Sequence, residues 1–322
     1  MGFVADQGKD DGVSWPGAQA HPGAAKAGTP DAAELADARL QDFDWSVVPA
    51  NFSSSKFSAP SGPLSVISLG DPQGAPVVLV PGATGSKEDF VLMMPILAAA
   101  GYYTLSFDMA GQYESAGAGP ENLNPAQTHY GYDLFVADLL SILHSLNPPA
   151  HVVGYSFAGT VAGLAVTKAP ELFASLTLLS TPPLAGQSFH GVSRIGPVTD
   201  LASGRVGASL MMWGIRSNAI PVPAGRLHFV RNRFKLTCKQ SVRDIVTLMK
   251  HTPDLAPDLS LSTLPKLVAV GEHDLWPTPL HAAFAQSLGA ELAVYPSGHS
   301  PCETSPNQLC RDLLKLFNQA AP

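Results

Sequence analysis

From about residue 52 onward, two textures alternate along the chain. Short runs of apolar or β-branched residues recur: PVVLVPG (76–82), YYTLSFD (102–108), AHVVGYS (150–156), SLTLLST (175–181), KLVAVGE (266–272) and ELAVYPS (291–297). Ahead of them, SSSKFSAPSGPLSVISLGD (53–71) alternates weakly and is broken at Pro60–Gly62, which predicts two short strands in a hairpin. Between most runs lie helix-compatible stretches: DFVLMMPILAAAG (89–101), YDLFVADLLSILHSL (132–146) and TVAGLAVTKAPELF (160–173). Continuous apolar strands alternating with helices predict an α/β protein: a mostly parallel sheet, eight strands with the hairpin, covered by helices on both faces.

One interval breaks the rhythm. About eighty residues separate SLTLLSTPP from KLVAVGE, too many for an ordinary crossover. They hold helical candidates at 198–215 and 238–251 and a mixed basic and apolar run, RLHFVRNRFKLTCK (226–239), that reads as an amphipathic helix with a solvated face. Residues 183–262 are therefore expected to form a helical cap, or lid, inserted between core segments 36–182 and 263–322. Residues 1–35 are rich in Gly, Ala, Pro and Asp without periodicity, and the expectation there is a disordered tail. PDAAELADARLQDFDW (30–45) could end that tail in a short helix, with Trp45 as an anchor to the body.

Composition narrows the function classes. The chain is 45% hydrophobic, ample for a large core, and carries a net charge of −7, which argues against nucleic acid or an anionic membrane as partner. Three cysteines form no disulfide framework and lack zinc-site spacing. The opening MGFVADQGKDDG has no apolar signal core, and no run is long enough to cross a bilayer. The expectation is a soluble, cytoplasmic protein that needs no metal or other cofactor.

The candidate chemistry begins with a serine. Of six Gly-x-Ser triplets, only Gly154-Tyr155-Ser156-Phe157-Ala158 has Gly or Ala two places beyond the serine, and only it joins a convincing strand to a convincing helix. A turn sharp enough to lift Oγ clear of the backbone needs small residues on either side, and the helix N-terminus beyond supplies free N–H groups. A serine hydroxyl is a poor nucleophile without a base, and the base needs an acid to orient it. KLVAVGEHD ends in Glu272-His273-Asp274, and ELAVYPSGHSP ends in Gly298-His299-Ser300. Ser156, Asp274 and His299 thus follow one another in chain order, each just past a predicted strand. Asp108 and Glu272 are rival acids, and Cys302, three residues past His299, is a rival nucleophile.

Taken together, LVPGATG, FDMAGQYES, GYSFAG, VGEHD and SGHSP resemble, in order, the α/β-hydrolase superfamily from about Phe52 to the C-terminus. The resemblance implies Ser156 as nucleophile, His299 as base and Asp274 as orienting acid, with the N–H groups of Phe157 and Ala83 as oxyanion donors. Two departures stand out. Pro81-Gly82 replaces a frequent His-Gly, and Asp108–Ser115 lacks the Arg of the usual Asp-x-Arg-Gly-x-Gly-x-Ser. A serine at the elbow argues against dehalogenase or epoxide hydrolase chemistry, which uses Asp there.

Met93, Met212, Trp213 and Trp276 are candidates for lining an apolar substrate pocket, each with ordinary core packing as its alternative. The expected activity is hydrolysis of a small, apolar carboxylic ester through an acyl-enzyme on Ser156. C–C, thioester or lactone cleavage, acyl transfer, a peroxidase-like side activity and a non-catalytic ligand-binding module are the alternatives. The expected partner is a small ester-like molecule; no oligomeric state is assigned.

Overall fold

The computed structural model describes residues 30–189, 192 and 223–320. Eight strands form one sheet: β1 (Ser53–Ala59), β2 (Gly62–Leu69), β3 (Pro76–Val80), β4 (Tyr103–Phe107), β5 (Ala150–Tyr155), β6 (Phe173–Leu179), β7 (Lys266–Gly271) and β8 (Glu291–Tyr295). Their spatial order is β1-β2-β4-β3-β5-β6-β7-β8. β1 and β2 are the predicted hairpin, and β2 runs antiparallel to β4; every other pairing is parallel. Because the chain moves from β3 outward to β4 and then back across to β5, the loops leaving β3 and β5 diverge. Such a switch point opens a crevice at the carboxyl ends of the strands.

β3 and β5 are buried along their whole length, as expected of strands covered on both faces. Along β3, Val78 and Val80 enter one core layer while Val77 and Leu79 enter the other. Burying each such side chain stabilises the fold by about 1.5–3 kcal/mol. The layer under Val78 and Val80 includes residues of α3 (Tyr132–Ser145) and α4 (Phe157–Lys168). The opposite layer includes residues of α2 (Met94–Ala99) and the last helix, α10 (Pro306–Gln319), which turns Leu309, Leu313, Leu316 and Phe317 inward. A short helix, α1 (Ala32–Asp37), begins before residue 35, so the predicted tail boundary falls inside it. Trp45 is buried as its predicted anchor role requires.

The interval between β6 and β7 departs from the prediction at both ends. Gly186 and Thr252 exchange two backbone hydrogen bonds, 2.7 and 2.8 Å, which pinch the insertion at a neck. Beyond the neck, α7 (Ala256–Leu259) follows Leu255, and Leu255 and Leu259 join the main core, so core packing resumes before residue 263. Inside the neck lie α5 (Ala224–Leu236) and α6 (Lys239–Met249). The predicted helix at 198–215 lies outside the described residues. Two further helices complete the chain, α8 (Thr278–Leu288) after β7 and α9 (Pro301–Thr304) after β8.

Candidate active site

β5 ends at Tyr155 and α4 begins at Phe157, which leaves Ser156 alone to make the turn. It does so at φ 54°, ψ −122°, a conformation that costs an L-residue on the order of 1–3 kcal/mol. Packing holds it there. A Cβ on Gly154 would lie 2.5 Å from the Ala158 carbonyl oxygen, and one on Gly159 would run into the Thr181 side chain. The Ser156 N–H donates to the Leu179 carbonyl at 2.7 Å, and Gly159 N–H donates back to Ser156 O at 2.9 Å. The helix predicted from residue 160 therefore starts three residues earlier, directly at the turn.

The loops after β7 and β8 complete the constellation. His299 Nε2 lies 3.1 Å from Ser156 Oγ, and His299 Nδ1 lies 3.1 Å from Asp274 Oδ1. The Asp274 carboxylate is buried, whereas the imidazole keeps 17% of its side chain exposed. Burial opposes ionisation of Asp274. The charge and hydrogen bond of His299, aided by the ring of His281, outweigh it and hold this carboxyl well below the ordinary range. The two loops approach closely because Gly271 has no side chain: a Cβ there would meet the Gly298 carbonyl oxygen.

The rival residues are occupied elsewhere. Glu272 pairs with His273, both half-exposed. Asp108 accepts the Lys87 N–H at 2.8 Å and Lys87 Nζ at 3.2 Å. Burial pushes Asp108 up to about 7 despite the lysine beside it. Cys302 is fully buried, and burial drives its thiol far above the ordinary value, which leaves it without nucleophilic thiolate. His151 sits at the other end of β5, stacked on Phe317 with Nδ1 2.8 Å from Ser175 Oγ.

The loop after β3 lies against the serine, for a Cβ on Gly82 would be 3.1 Å from Ser156 Cβ. Among the described residues, neither Ala83 N–H nor Phe157 N–H has a hydrogen-bond acceptor. The next residue, Thr84, takes φ 58°, unusual for a β-branched side chain. It is secured by its N–H donating to Gln112 Oε1 at 3.0 Å, while Gln112 Nε2 donates to Ser241 Oγ on α6 at 2.6 Å. This explains how the unusual Asp108–Ser115 sequence works. Gln112 ties this loop to the loop after β3, and Lys87 bridges Asp108, Glu88 and Glu114 where the usual Arg is missing. Tyr113 bears φ 39° where the usual motif has Gly. The departure from that motif was the available signal for these residues, and Gln112 was not singled out.

A buried ionic cluster flanks the site, and it corrects the reading of the basic run. Arg226 and Arg233 do not face solvent. Arg226 Nη2 donates to Asp89 at 2.6 Å, Arg226 Nε donates to Glu303 at 2.8 Å, and Arg233 donates to Asp89 and to Ser86 Oγ. Positions 226, 229, 230 and 233 are the buried stripe of α5. Two arginines seven apart on an apolar stripe were the signal that a solvated-face reading overlooked. The cluster joins the loop after β3, through Ser86 and Asp89, to Glu303, four residues past His299.

The pocket candidates divide. Trp276 is buried with its ring 5.9 Å from that of His299, and its Nε1 donates to the Ser188 carbonyl at the insertion neck. Met93 is corrected: it is fully buried in the core layer with Val77 and Leu79, and its carbonyl faces Cys310 Sγ. Met212 and Trp213 lie outside the described residues. Among the described residues, no group of three or more His, Cys, Asp or Glu side chains could hold a metal ion, and no helix is long and apolar enough to cross a membrane.

A model of the alpha/beta hydrolase family matches residues 77–313. The chain is 27% identical over 135 residues to a human protein named serine hydrolase-like protein, covering 42% of this chain and 63% of that one. It thus spans less than two thirds of that relative. It is 26% identical over 236 residues to the strigolactone esterase RMS3 of Pisum sativum, covering 68% of this chain and 85% of that one. The solved structure of an esterase from Exiguobacterium antarcticum superposes with TM-score 0.67 at 18% identity, over 83% of this chain and all of that one.

Proposed function

The chain belongs to the alpha/beta hydrolase family, and we propose that it is a serine hydrolase cleaving a small, apolar carboxylic ester through an acyl-enzyme on Ser156. The observation that carries this reading is the continuous line Ser156 Oγ–His299–Asp274, with both contacts at 3.1 Å. His299 Nε2 takes the hydroxyl proton as Oγ attacks the ester carbon, and returns it to the departing alcohol. A water then attacks the acyl-enzyme, with His299 again accepting the proton, and the acid is released. Asp274 keeps the His299 proton on Nδ1 and stabilises the imidazolium. The N–H groups of Phe157 and Ala83 receive the negative oxygen, a contribution worth about 3–4 kcal/mol per donor.

An ester is favoured because the pea relative is named an esterase at 85% coverage of its length. The indole of Trp276 beside His299 supplies an apolar wall. Labelling with a fluorophosphonate probe tests the nucleophile: wild type is expected to label and Ser156→Ala not to. Hydrolysis of p-nitrophenyl esters of increasing chain length tests the pocket, and a preference for charged acyl groups would count against an apolar one.

A further inference from the structure

α8 presents one buried stripe to the core: His281, Ala285 and Leu288, at i, i+4 and i+7. An apolar residue is the ordinary choice at the first of these. Instead His281 is fully buried, and among the described residues neither ring nitrogen has a hydrogen-bond partner. Buried polar groups left in that state are rare and call for a cause. The cause on hand is Asp274. His281 Nε2 stands 3.8 Å from Asp274 Oδ1, too long for a hydrogen bond but well within electrostatic reach.

Asp274 has room for such a partner. Its Oδ1 faces His299 Nδ1 at 3.1 Å and the Trp276 N–H at 3.4 Å, while its Oδ2 is buried and unbonded among the described residues. Two imidazoles therefore approach the same carboxylate oxygen, His299 from the loop after β8 and His281 from α8. Glu272 and His273 pair with each other and are half-exposed. The Trp276 indole crosses the His281 ring edge-on at 6.3 Å.

We propose that His281 is a positioning residue for the site: its Nε2 side shares the negative charge of Asp274 and so sets how much of that charge acts on His299. This deepens the Ser156 hydrolase reading and rests on it for its catalytic meaning, although the coupling itself is electrostatic and measurable without turnover. Neutral or protonated, the His281 ring draws on the same carboxylate charge. Its removal leaves that charge to His299 alone, so the effect has one sign in either state.

The test is an NMR titration of histidine-labelled protein, as wild type, His281→Leu, His281→Met and His281→Gln, with His299 assigned through His299→Asn. Gln can return an N–H near the Nε2 position; Leu and Met cannot, and either serves if the other does not fold. The His299 pKa is expected to rise by roughly 0.5–1 unit in the Leu and Met variants and to stay near wild type in the Gln variant. No rise in the folded Leu or Met variant, or an equal rise in all three, would overturn the proposal and leave His281 as core filling. Ester hydrolysis by wild type and Ser156→Ala is measured alongside. If neither turns over ester while the titration shift is present, the hydrolase reading fails and the coupling stands.

Discussion

Two buried polar assemblies flank the crevice, and they are built on opposite principles. In the line Ser156–His299–Asp274, each member has few partners: Asp274 Oδ2 is unbonded among the described residues, and the imidazole is partly open to solvent. In the cluster of Asp89, Arg226, Arg233 and Glu303, two guanidinium groups and two carboxylates are densely cross-bonded, and Arg226 also covers the Trp45 ring at 4.5 Å. The first is a single line of contacts from a buried carboxylate through a partly exposed imidazole to Ser156 Oγ. The second immobilises the loops around it, by charge pairs that are costly to break one at a time. The cluster is not saturated, since Arg226 Nη1 and Arg233 Nε are buried without a hydrogen-bond partner among the described residues; what sets it apart is the number of charge pairs it holds.

The sharpest way to separate them is to remove one member of each. Ser156→Ala is expected to lower ester hydrolysis by about 10⁴-fold or more while leaving the urea midpoint close to wild type. A comparable fall in stability would show that the elbow serine is a structural group. Asp89→Ala should do the reverse, because it leaves Arg233 without its carboxylate partner, reduces Arg226 to Glu303 alone and removes the acceptor of the Ser86 N–H. A loss of about 3–5 kcal/mol in urea unfolding is expected. A double-mutant cycle with Arg233→Met should return a coupling within about 0.5–3 kcal/mol, and a value near zero would mean that the pair contributes nothing specific.

A third change probes the loop after β3. Gln112→Leu removes the acceptor of the Thr84 N–H and the donor to Ser241. The loop bearing Ala83 should then be less well positioned, with kcat falling roughly tenfold or more as an oxyanion donor is misplaced and KM changing little. An unchanged kcat would detach Gln112 from that loop's function.

The smallest effect lies away from both. Burial lowers the His151 ring to about 4, against about 6.5 in the unfolded chain. Between these values the unfolded state binds the proton and the folded state does not, so stability should fall as pH drops from about 6.5 towards 4 and level off below. The contribution is on the order of 2 kcal/mol. His151→Gln should flatten that part of the acid-side curve; an unaltered slope would assign it to other groups, though not to Asp138, which burial, opposed by its Ser61 bonds, raises to about 6 and which therefore contributes the opposite slope.

What could be read from the sequence was whatever depends on chain position alone. Apolar runs marked the strands, and in a parallel sheet the residue after a strand must emerge at one common edge. Ser156, Asp274 and His299 could therefore be placed together without knowing a single side-chain contact. The same logic failed where partners are chosen by packing. Asp89 and Arg226 are 137 residues apart, and although their spacing puts Arg226 and Arg233 on one stripe of α5, nothing local names their partners. Met93 looked like a pocket residue and belongs to the core, because its place in a layer depends on which helix covers it. Nothing in the sequence sets His281 apart, and its place 3.8 Å from Asp274 depends on how α8 docks. Strand positions and periodicity are local properties of the chain and were determined by the sequence itself. Which charges meet in the interior depends on how distant elements dock, and only the tertiary structure decided it.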